Sequence, residues 1–176
     1  MKNEVSFKIF NSLNGQKEEF NPCNPEHIKI YACGPTVYNY AHIGNARMAV
    51  VFDTFVRTLR IFYPKVTYVS NITDIDDKII EAAHEQKVEI SSITEKYTKI
   101  YNDDMAKLNV LMPDIQPKAT EYIPEMIELI EDLISKDFAY EKDGHVLFHV
   151  PNYDNYGKLS KRNRDEQIAG LSLIHI

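Results

Sequence analysis

The fold depends on YACGPTVYNYAHIGNARMAVVFDTFVRTLR, residues 31–60, which combines a strand end, a loop with a cysteine and the start of a long helix. The run HIKIYA at residues 27–32 predicts a short strand, and Cys33, Gly34 and Pro35 end it because glycine and proline interrupt regular structure. Apolar side chains then recur at three- and four-residue spacing, which predicts a helix with one apolar face over about five turns. The side chains of this face are Val51, Phe52, Phe55, Val56, Leu59 and Phe62.

A second strand follows the helix. Pro64 ends the helical pattern, and KVTYVS at residues 65–70 predicts the strand. Strand, long helix and strand at this spacing predict a parallel crossover unit, which is right-handed in nearly all proteins. The predicted fold class is α/β, with this unit as half of a Rossmann-like nucleotide-binding domain. In such a sheet a ligand binds at the carboxyl ends of the strands, where the loop after residue 32 lies.

Two predicted helices follow the second strand. One covers residues 77–86, and the next begins at Ser92, where Glu95 three residues later completes a capping box. Pro113 and Pro117 interrupt the pattern beyond it. The side chains predicted to face inward from the second of these helices are Ile93, Tyr97, Ile100 and Leu108.

A third helical run and a hairpin complete the pattern. The helix covers residues 121–135, and Pro124 is tolerated only in its first turn. FAYEKDGHVLFHV predicts a β-hairpin that turns at Asp143 and Gly144. The apolar stripe predicted on the helix consists of Ile123, Ile127, Ile130 and Ile134.

These elements predict three segments. Residues 1–90 form the first half of the Rossmann-like domain, and residues 91–170 form a helix-rich insertion with the hairpin. The last segment, LSLIHI at residues 171–176, resembles the translation of an adapter used in preparing sequencing libraries. We expect it to be a non-native tail of a truncated reading frame, and the alternative of an apolar strand stays open.

Composition excludes some classes of protein. A chain with 44% hydrophobic and 26% charged residues is typical of a globular domain. No apolar run approaches the roughly 20 residues of a membrane span, so we expect a cytoplasmic protein with no membrane partner. The net charge of −6 gives no global attraction to nucleic acid, which would need a local basic patch such as residues 158–164. A disulfide between Cys23 and Cys33 is the least expected use of these thiols in the cytoplasm.

The loop before the long helix favours anions. Backbone N–H groups and the positive end of the helix dipole lie there, and Gly44 lets a phosphate approach the backbone. His42 and Asn45 add side-chain donors, and an imidazole can stabilise the charge on a departing pyrophosphate. The alternative interpretation makes His42 a helix-capping residue and Gly44 a packing glycine.

The longer string CGPTVYNYAHIGNAR resembles the cysteinyl-tRNA synthetases, class I enzymes whose HIGH signature appears here as HIGN, residues 42–45. Asn45 replaces the final histidine of that signature. The change keeps a hydrogen-bond donor but removes a titratable group. The resemblance extends to about residue 170. Three later segments are similar to the same family, namely NITDIDDKI, PKAT and YGKLS at residues 71–79, 117–120 and 156–160.

This resemblance implies a reaction and a set of site residues. Cysteine would be activated by ATP with Mg²⁺ to cysteinyl-adenylate and pyrophosphate, and its cysteinyl group would then be transferred to tRNA(Cys). Zinc would be held by a thiolate of the protein. Because zinc prefers a thiolate over a hydroxyl, it would bind the sulfur of the substrate and so separate cysteine from serine. The residues implied are Cys33 for Zn²⁺, Gly34, Thr36 and Thr73 for substrate, and His42, Gly44 and Asn45 for ATP, with His42 and Asn45 catalytic.

The same resemblance leaves most of the enzyme outside this sequence. The remaining zinc ligands, the second half of the nucleotide fold, the KMSKS loop and the tRNA-binding domain are all expected beyond it. One thiolate cannot match the zinc affinity of a four-ligand site, so we expect the 176-residue chain by itself to be inactive. For a lone cysteine the alternative to a ligand is a small buried hydrophobe, and Cys23 has no motif that favours a role.

Two further groups have competing interpretations. Asp74, Asp76 and Asp77 suit Mg²⁺ as hard oxygen donors, but capping of the helix that follows is the favoured interpretation. KLSKR at residues 158–162 is similar to a KMSKS loop, but it lies in the inserted segment, which favours an exposed basic turn. The histidines without a defensible ligand spacing to Cys33 are His84, His145 and His149.

Three alternative functions stay open at this point. A tRNA-independent ligase of the same superfamily that joins cysteine to an amino-sugar shares the zinc and HIGH elements. A pantothenate-synthetase-like nucleotidyltransferase also has a histidine-glycine motif before a helix, but the cysteine nine residues before the histidine disfavours it. A truncated nucleic-acid-binding module would act through its basic turn and bind RNA in a salt-sensitive manner.

Overall fold

The computed structural model describes residues 7–161. The chain divides into two compact units, one formed by residues 22–123 and the other by the chain before residue 22 and after residue 123. The described elements, in chain order, are β1 (Lys8–Asn11), β2 (Gln16–Glu19), β3 (Ile28–Ala32), α1 (Ile43–Phe62), β4 (Val66–Ser70), α2 (Asp77–Gln86), α3 (Ile90–Lys107), α4 (Ile123–Ser135), β5 (Ala139–Lys142) and β6 (His145–Phe148).

The predicted crossover unit is confirmed. Strands β3 and β4 are parallel and in register from Ile28 opposite Val66 to Ala32 opposite Ser70, and α1 connects them. Helix α1 ends at Phe62 because Pro64 follows. Its buried side chains pack with the strands, and one cluster joins Ala32, Val56 and Tyr68. The unit is thus an α/β arrangement of the Rossmann-like kind.

A third extended segment lies beside β4, on the edge away from β3. Val69 pairs with Ile115 and Ile72 with Lys118, both in parallel. The amide of Ile72 donates to the carbonyl of Pro117 at 2.8 Å. The prolines predicted only to interrupt a helix therefore lie in an extended segment that bridges to the β4 chain at two points, where residues without an N–H group are tolerated.

Two acidic side chains fasten this segment. Asp114 accepts from the backbone N–H of Tyr68 at 2.7 Å and from one guanidinium nitrogen of Arg60 at 2.8 and 2.9 Å. Asp74 is buried and accepts from Thr120 twice, from the backbone N–H at 3.0 Å and from the hydroxyl at 2.6 Å. Bonds to ionised acceptors are stronger than neutral ones, so these carboxylates hold the extended segment beside β4 and the chain that follows β4.

Helices α2 and α3 differ from the prediction in two details. The predicted capping box at Ser92 is wrong, because Lys87 adopts a left-handed conformation at φ 54° and α3 begins at Ile90 with no side-chain cap on Glu89. Leu108 does not face inward: it is 51% exposed, since the helix ends at Lys107 and Asn109 turns the chain at φ 62°.

The remaining inward predictions for α3 are confirmed. Ile93 and Tyr97 are buried in a cluster that also contains Val37, Ile72 and Ile79, and Ile100 packs against it. This cluster joins α2 and α3 to the loop after β3 and to the chain after β4. The two helices therefore pack against the segments that follow the two strands.

The second unit contains two hairpins and α4. Strands β1 and β2 are antiparallel, as are β5 and β6. The predicted turn is confirmed: Asp143 and Gly144 have φ values of 53° and 76°, as a type I′ turn requires. Pro124 is the second residue of α4, in its first turn as predicted. The isoleucine stripe on α4 is 37–50% exposed.

The predicted boundary at residue 90 remains a prediction, while the compact units of this structure divide at residues 22 and 124. Predictions for residues 162–176 lie outside the described part of the chain. None of the helices within residues 7–161 combines the length and apolar character that a membrane crossing needs.

Gly34 is required where the loop after β3 passes the end of β4. A Cβ atom on residue 34 would lie 1.6 Å from the carbonyl oxygen of Asn71 and 2.7 Å from its carbonyl carbon. Both are backbone atoms, so a rotamer change cannot relieve the overlap. The two strand ends can approach this closely only because residue 34 has no side chain.

We expect Gly34→Ala to lower the free energy of unfolding by about 3 kcal/mol, because the loop must move away from β4. Urea unfolding of the 176-residue chain measures this loss. Gly144→Asn is the matched control, since nothing lies within 4 Å of a Cβ there and asparagine tolerates the left-handed conformation. Equal losses in the two variants would contradict the steric argument.

Candidate functional site

A cleft of about 230 Å³ opens at the carboxyl end of β3. Its wall is built from the loop between β3 and α1, the first turn of α1, and two tyrosines of α3. The lining residues are Gly34, Pro35, Thr36, Val37, Tyr38, Asn39, Tyr40, Ala41, His42, Asn45, Tyr97 and Tyr101. Of the predicted site residues, Gly34, Thr36, His42 and Asn45 line the cleft, whereas Cys33, Gly44 and Thr73 lie beside it.

His42 caps α1 and is held in place by a reciprocal pair of hydrogen bonds. Its Nδ1 accepts from the backbone N–H of Gly44 at 2.9 Å, and its own backbone N–H donates to Oδ1 of Asn45 at 3.0 Å. Because Nδ1 is an acceptor here, the proton of the neutral imidazole lies on Nε2. Among residues 7–161, Nε2 has no hydrogen-bond partner, and this N–H remains a donor for a ligand.

Gly44 is explained by the position of the His42 ring. A Cβ atom on residue 44 would lie 2.6 Å from Cε1 and 2.9 Å from Nδ1 of that imidazole. The glycine thus allows the ring to fold back over the first turn of the helix. The capping interpretation of His42 is confirmed, and capping leaves the other ring nitrogen and the amide NH₂ of Asn45 as donors.

Backbone hydrogen bonds join the first half of the cleft loop to the chain after β4. Thr73 donates its N–H to the carbonyl of Pro35 at 3.0 Å and accepts from the N–H of Val37 at 3.2 Å. Asn71 accepts from the N–H of Gly34 at 2.9 Å through Oδ1 and donates to the Thr73 hydroxyl at 3.2 Å. Thr73 therefore lies directly behind the cleft wall, paired with Thr36.

Cys33 is exposed at the start of this loop and makes one weak contact, from Sγ to the carbonyl of Gly34 at 3.7 Å. Cys23 is also a free, exposed thiol. Within the described residues, no group of three or more His, Cys, Asp or Glu side chains could hold a metal ion. An exposed soft donor without a strong partner fits one position of a zinc site, and the described residues do not supply the others.

Two aspartates of the acidic run after β4 have structural roles. Asp76 is the N-cap of α2 and accepts from the N–H of Lys78 at 3.0 Å, as the favoured interpretation predicted. Asp74 does not cap the helix but holds Thr120. Lys158 and Lys161 lie in an exposed turn of the second unit, as predicted, and the continuation of that basic run lies outside the described residues.

Four tyrosines of the cleft were not predicted as site residues: Tyr38, Tyr40, Tyr97 and Tyr101. Tyr40 meets Tyr97 edge to face, with ring centroids 5.4 Å apart. The ammonium group of Lys78 lies 5.5 Å from the centroid of the Tyr38 ring. Burial raises the pKa of the Tyr101 phenol above its usual value. The string VYNY between β3 and α1 could have indicated two of them, Tyr38 and Tyr40.

The chain matches a known family and several curated proteins. Residues 19–173 match the family described as tRNA synthetases class I (C) catalytic domain. The chain is 56% identical over 168 residues to the cysteine–tRNA ligase of Parvibaculum lavamentivorans, covering 96% of this chain and 36% of that protein. It is 52% identical over 175 residues to the cysteine–tRNA ligase of Granulibacter bethesdensis, covering 97% and 37%.

A solved structure shows a related fold. The LeuRS of Agrobacterium radiobacter K84, in its ternary complex with tRNA and LeuAMS, aligns with a TM-score of 0.57 over 70% of this chain and 16% of its own. At 20% identity this likeness concerns the fold alone. The chain spans about 36% of the length of the curated relatives it matches. The resemblance inferred from the motifs is confirmed, and the chain belongs to the family of class I (C) tRNA synthetase catalytic domains.

Proposed function

We propose that the chain is part of a cysteine–tRNA ligase, which activates cysteine with ATP and Mg²⁺ in the cytoplasm and transfers the cysteinyl group to tRNA(Cys). Identity of 51–56% to curated cysteine–tRNA ligases over 94–97% of the chain supports this proposal. The observation that carries it in the structure is the pairing of His42 and Asn45 at the amino end of α1, inside the cleft. The proposed activity is that of the protein that contains this chain. Inactivity of the 176-residue chain alone stays a prediction.

The first step forms a bond between the cysteine carboxylate and the α-phosphorus of ATP. The bond from that phosphorus to the bridging oxygen breaks, and pyrophosphate leaves with the electron pair. His42 donates from Nε2, and Asn45 from its amide NH₂, to phosphate oxygens on which charge increases. The positive end of α1 adds to this stabilisation. No covalent bond between the chain and the substrate is needed, so the contribution of these residues is orientation and charge stabilisation.

Cys33 is proposed as one ligand of a zinc ion. When bound, zinc would hold a deprotonated thiol in preference to a hydroxyl. A pocket selective for shape alone separates cysteine from serine only weakly. Cys33 presents its sulfur at the carboxyl end of β3, adjacent to Gly34, the first residue of the cleft. Gly34 and Thr36 line the amino-acid part of the cleft in this proposal. Thr73 orients that part through its two backbone hydrogen bonds to the loop.

The tRNA-independent ligase is not favoured. The curated relatives compared above are cysteine–tRNA ligases, and their identity extends over nearly the whole chain. Cysteine-dependent exchange of pyrophosphate into ATP, measured with protein from the complete gene, tests activation. Attachment of cysteine to tRNA(Cys) then separates the two ligases, because only the proposed enzyme forms cysteinyl-tRNA.

Cys33→Ser in that protein should lose zinc and most discrimination against serine, because a hydroxyl is a poor zinc ligand. Zinc content by mass spectrometry and pyrophosphate exchange with cysteine or serine measure the two effects. Cys23→Ser is the matched control, since that thiol is also exposed and should leave both unchanged. Full zinc content in the Cys33 variant would refute the ligand assignment.

His42→Ala should keep zinc and lower the rate of pyrophosphate exchange by about 10²–10³-fold, because a donor to the phosphates is lost. It should also lower stability by about 1 kcal/mol through loss of the helix cap. His42→Asn separates the roles, since asparagine is a good N-cap without the imidazole. If His42→Asn restores both the melting temperature and the exchange rate, capping alone explains the residue.

A further inference from the structure

The loop that lines the cleft is held in two different ways. Residues 34–37 are joined by hydrogen bonds to Asn71 and Thr73. Residues 38–41 have no backbone hydrogen bond to another element in the described part of the chain: the N–H of Tyr40 donates to the neighbouring side chain of Asn39. The second half of the loop is therefore positioned by side-chain packing.

Helix α3 supplies that packing. The ring of Tyr40 is 64% exposed and meets the ring of Tyr97 edge to face at 5.4 Å, a favourable arrangement for two aromatic rings. Tyr97 is itself fixed, since it is 7% exposed in the main core cluster and has the ammonium group of Lys96 over its ring at 4.8 Å. A buried residue of α3 thus contacts an exposed residue of the loop.

The next loop residue is held by the same helix. Ala41 packs against a buried cluster formed by Ala49, Tyr101 and Met105. His42 follows directly, and its imidazole and Asn45 form the capping pair. Two consecutive loop residues therefore pack against Tyr97 and against the cluster that contains Tyr101, one helical turn further along α3. Both precede the residue proposed to contact ATP.

We propose that Tyr97 and Tyr101 are positioning residues for the ATP half of the cleft: they hold residues 38–41, with Tyr40 as the contact of Tyr97, and so place His42. This inference rests on the proposed function and adds a division of labour. The amino-acid half at residues 34–37 is held by hydrogen bonds to Asn71 and Thr73 and by the buried side chain of Val37, so it does not depend on the ring of Tyr40. Loss of the aromatic contact should then change ATP use and leave zinc and cysteine binding intact.

Hydrogen exchange of the full-length protein tests the positioning without any catalysis. In Tyr40→Ala, the backbone amides of residues 40 and 42, which donate to the side chains of Asn39 and Asn45, should exchange roughly three- to ten-fold faster, the factor that loss of one ring pair gives. Those of residues 34–37 should be unchanged. Tyr40→Phe keeps the ring and should restore protection. Unchanged exchange in Tyr40→Ala would overturn the proposal.

Steady-state pyrophosphate exchange gives the second measurement. Tyr40→Ala should lower kcat/KM for ATP by roughly three- to ten-fold, with zinc content and the KM for cysteine unchanged. Tyr31→Ala is the matched control, because Tyr31 is 65% exposed and lies outside the cleft lining. A parallel loss of zinc or cysteine affinity in Tyr40→Ala would indicate general loosening and overturn the division of the cleft.

A double-mutant cycle connects the two tyrosines. In a Tyr97→Leu background, adding Tyr40→Ala should lower kcat/KM for ATP little further, because both changes remove the same contact. Fully additive losses would show that Tyr97 does not act through Tyr40. If the wild-type protein shows no cysteine-dependent exchange, the proposed function fails, and hydrogen exchange alone then decides the positioning role.

Discussion

The close passage of two backbones at Gly34 is the constraint on which the cleft depends. The carbonyl of Asn71 occupies the space that a side chain at residue 34 would need. Because the loop can pass there, it forms hydrogen bonds to Asn71 and Thr73 beyond the end of β4. These bonds extend the parallel pairing past the strands, and they bring Cys33 and the first wall of the cleft to the carboxyl edge of the sheet.

The far side of β4 is secured by charge. Asp114 and Asp74 accept five hydrogen bonds between them, from Arg60, Tyr68 and Thr120. The extended segment they fasten contains prolines, which cannot donate backbone hydrogen bonds, so side-chain acceptors compensate for a sparse backbone pattern. Isolated parallel bridges to this segment lie on the edge of β4 opposite β3, and the chain after β4 carries Thr73 to the back of the cleft.

Features of the fold that are determined by residues close together in the sequence could be predicted, whereas features that depend on distant residues could not. The crossover unit and the Asp143-Gly144 turn follow from periodicity and turn chemistry, and both were predicted correctly. The capping box at Ser92 failed because the chain turns at Lys87 and restarts the helix earlier. The extended segment at residues 113–118 was missed because its bridges to the β4 chain are decided by distant partners, and its prolines indicate only a break. Tyr97 was predicted to be buried, but periodicity does not reveal that its neighbour is Tyr40.

The capping of α1 by His42 is compatible with the chemical role proposed for the same residue, although the sequence presented the two roles as alternatives. The bond from Gly44 to Nδ1 caps the helix and, for the neutral ring, also determines which nitrogen carries the proton. The glycine at residue 44 is needed for the same geometry, because any side chain there would displace the ring. The motif HIGN, which suggests a phosphate site, thus also determines the orientation of its histidine. In the proposal above, the tyrosines of α3 support the loop that precedes this histidine.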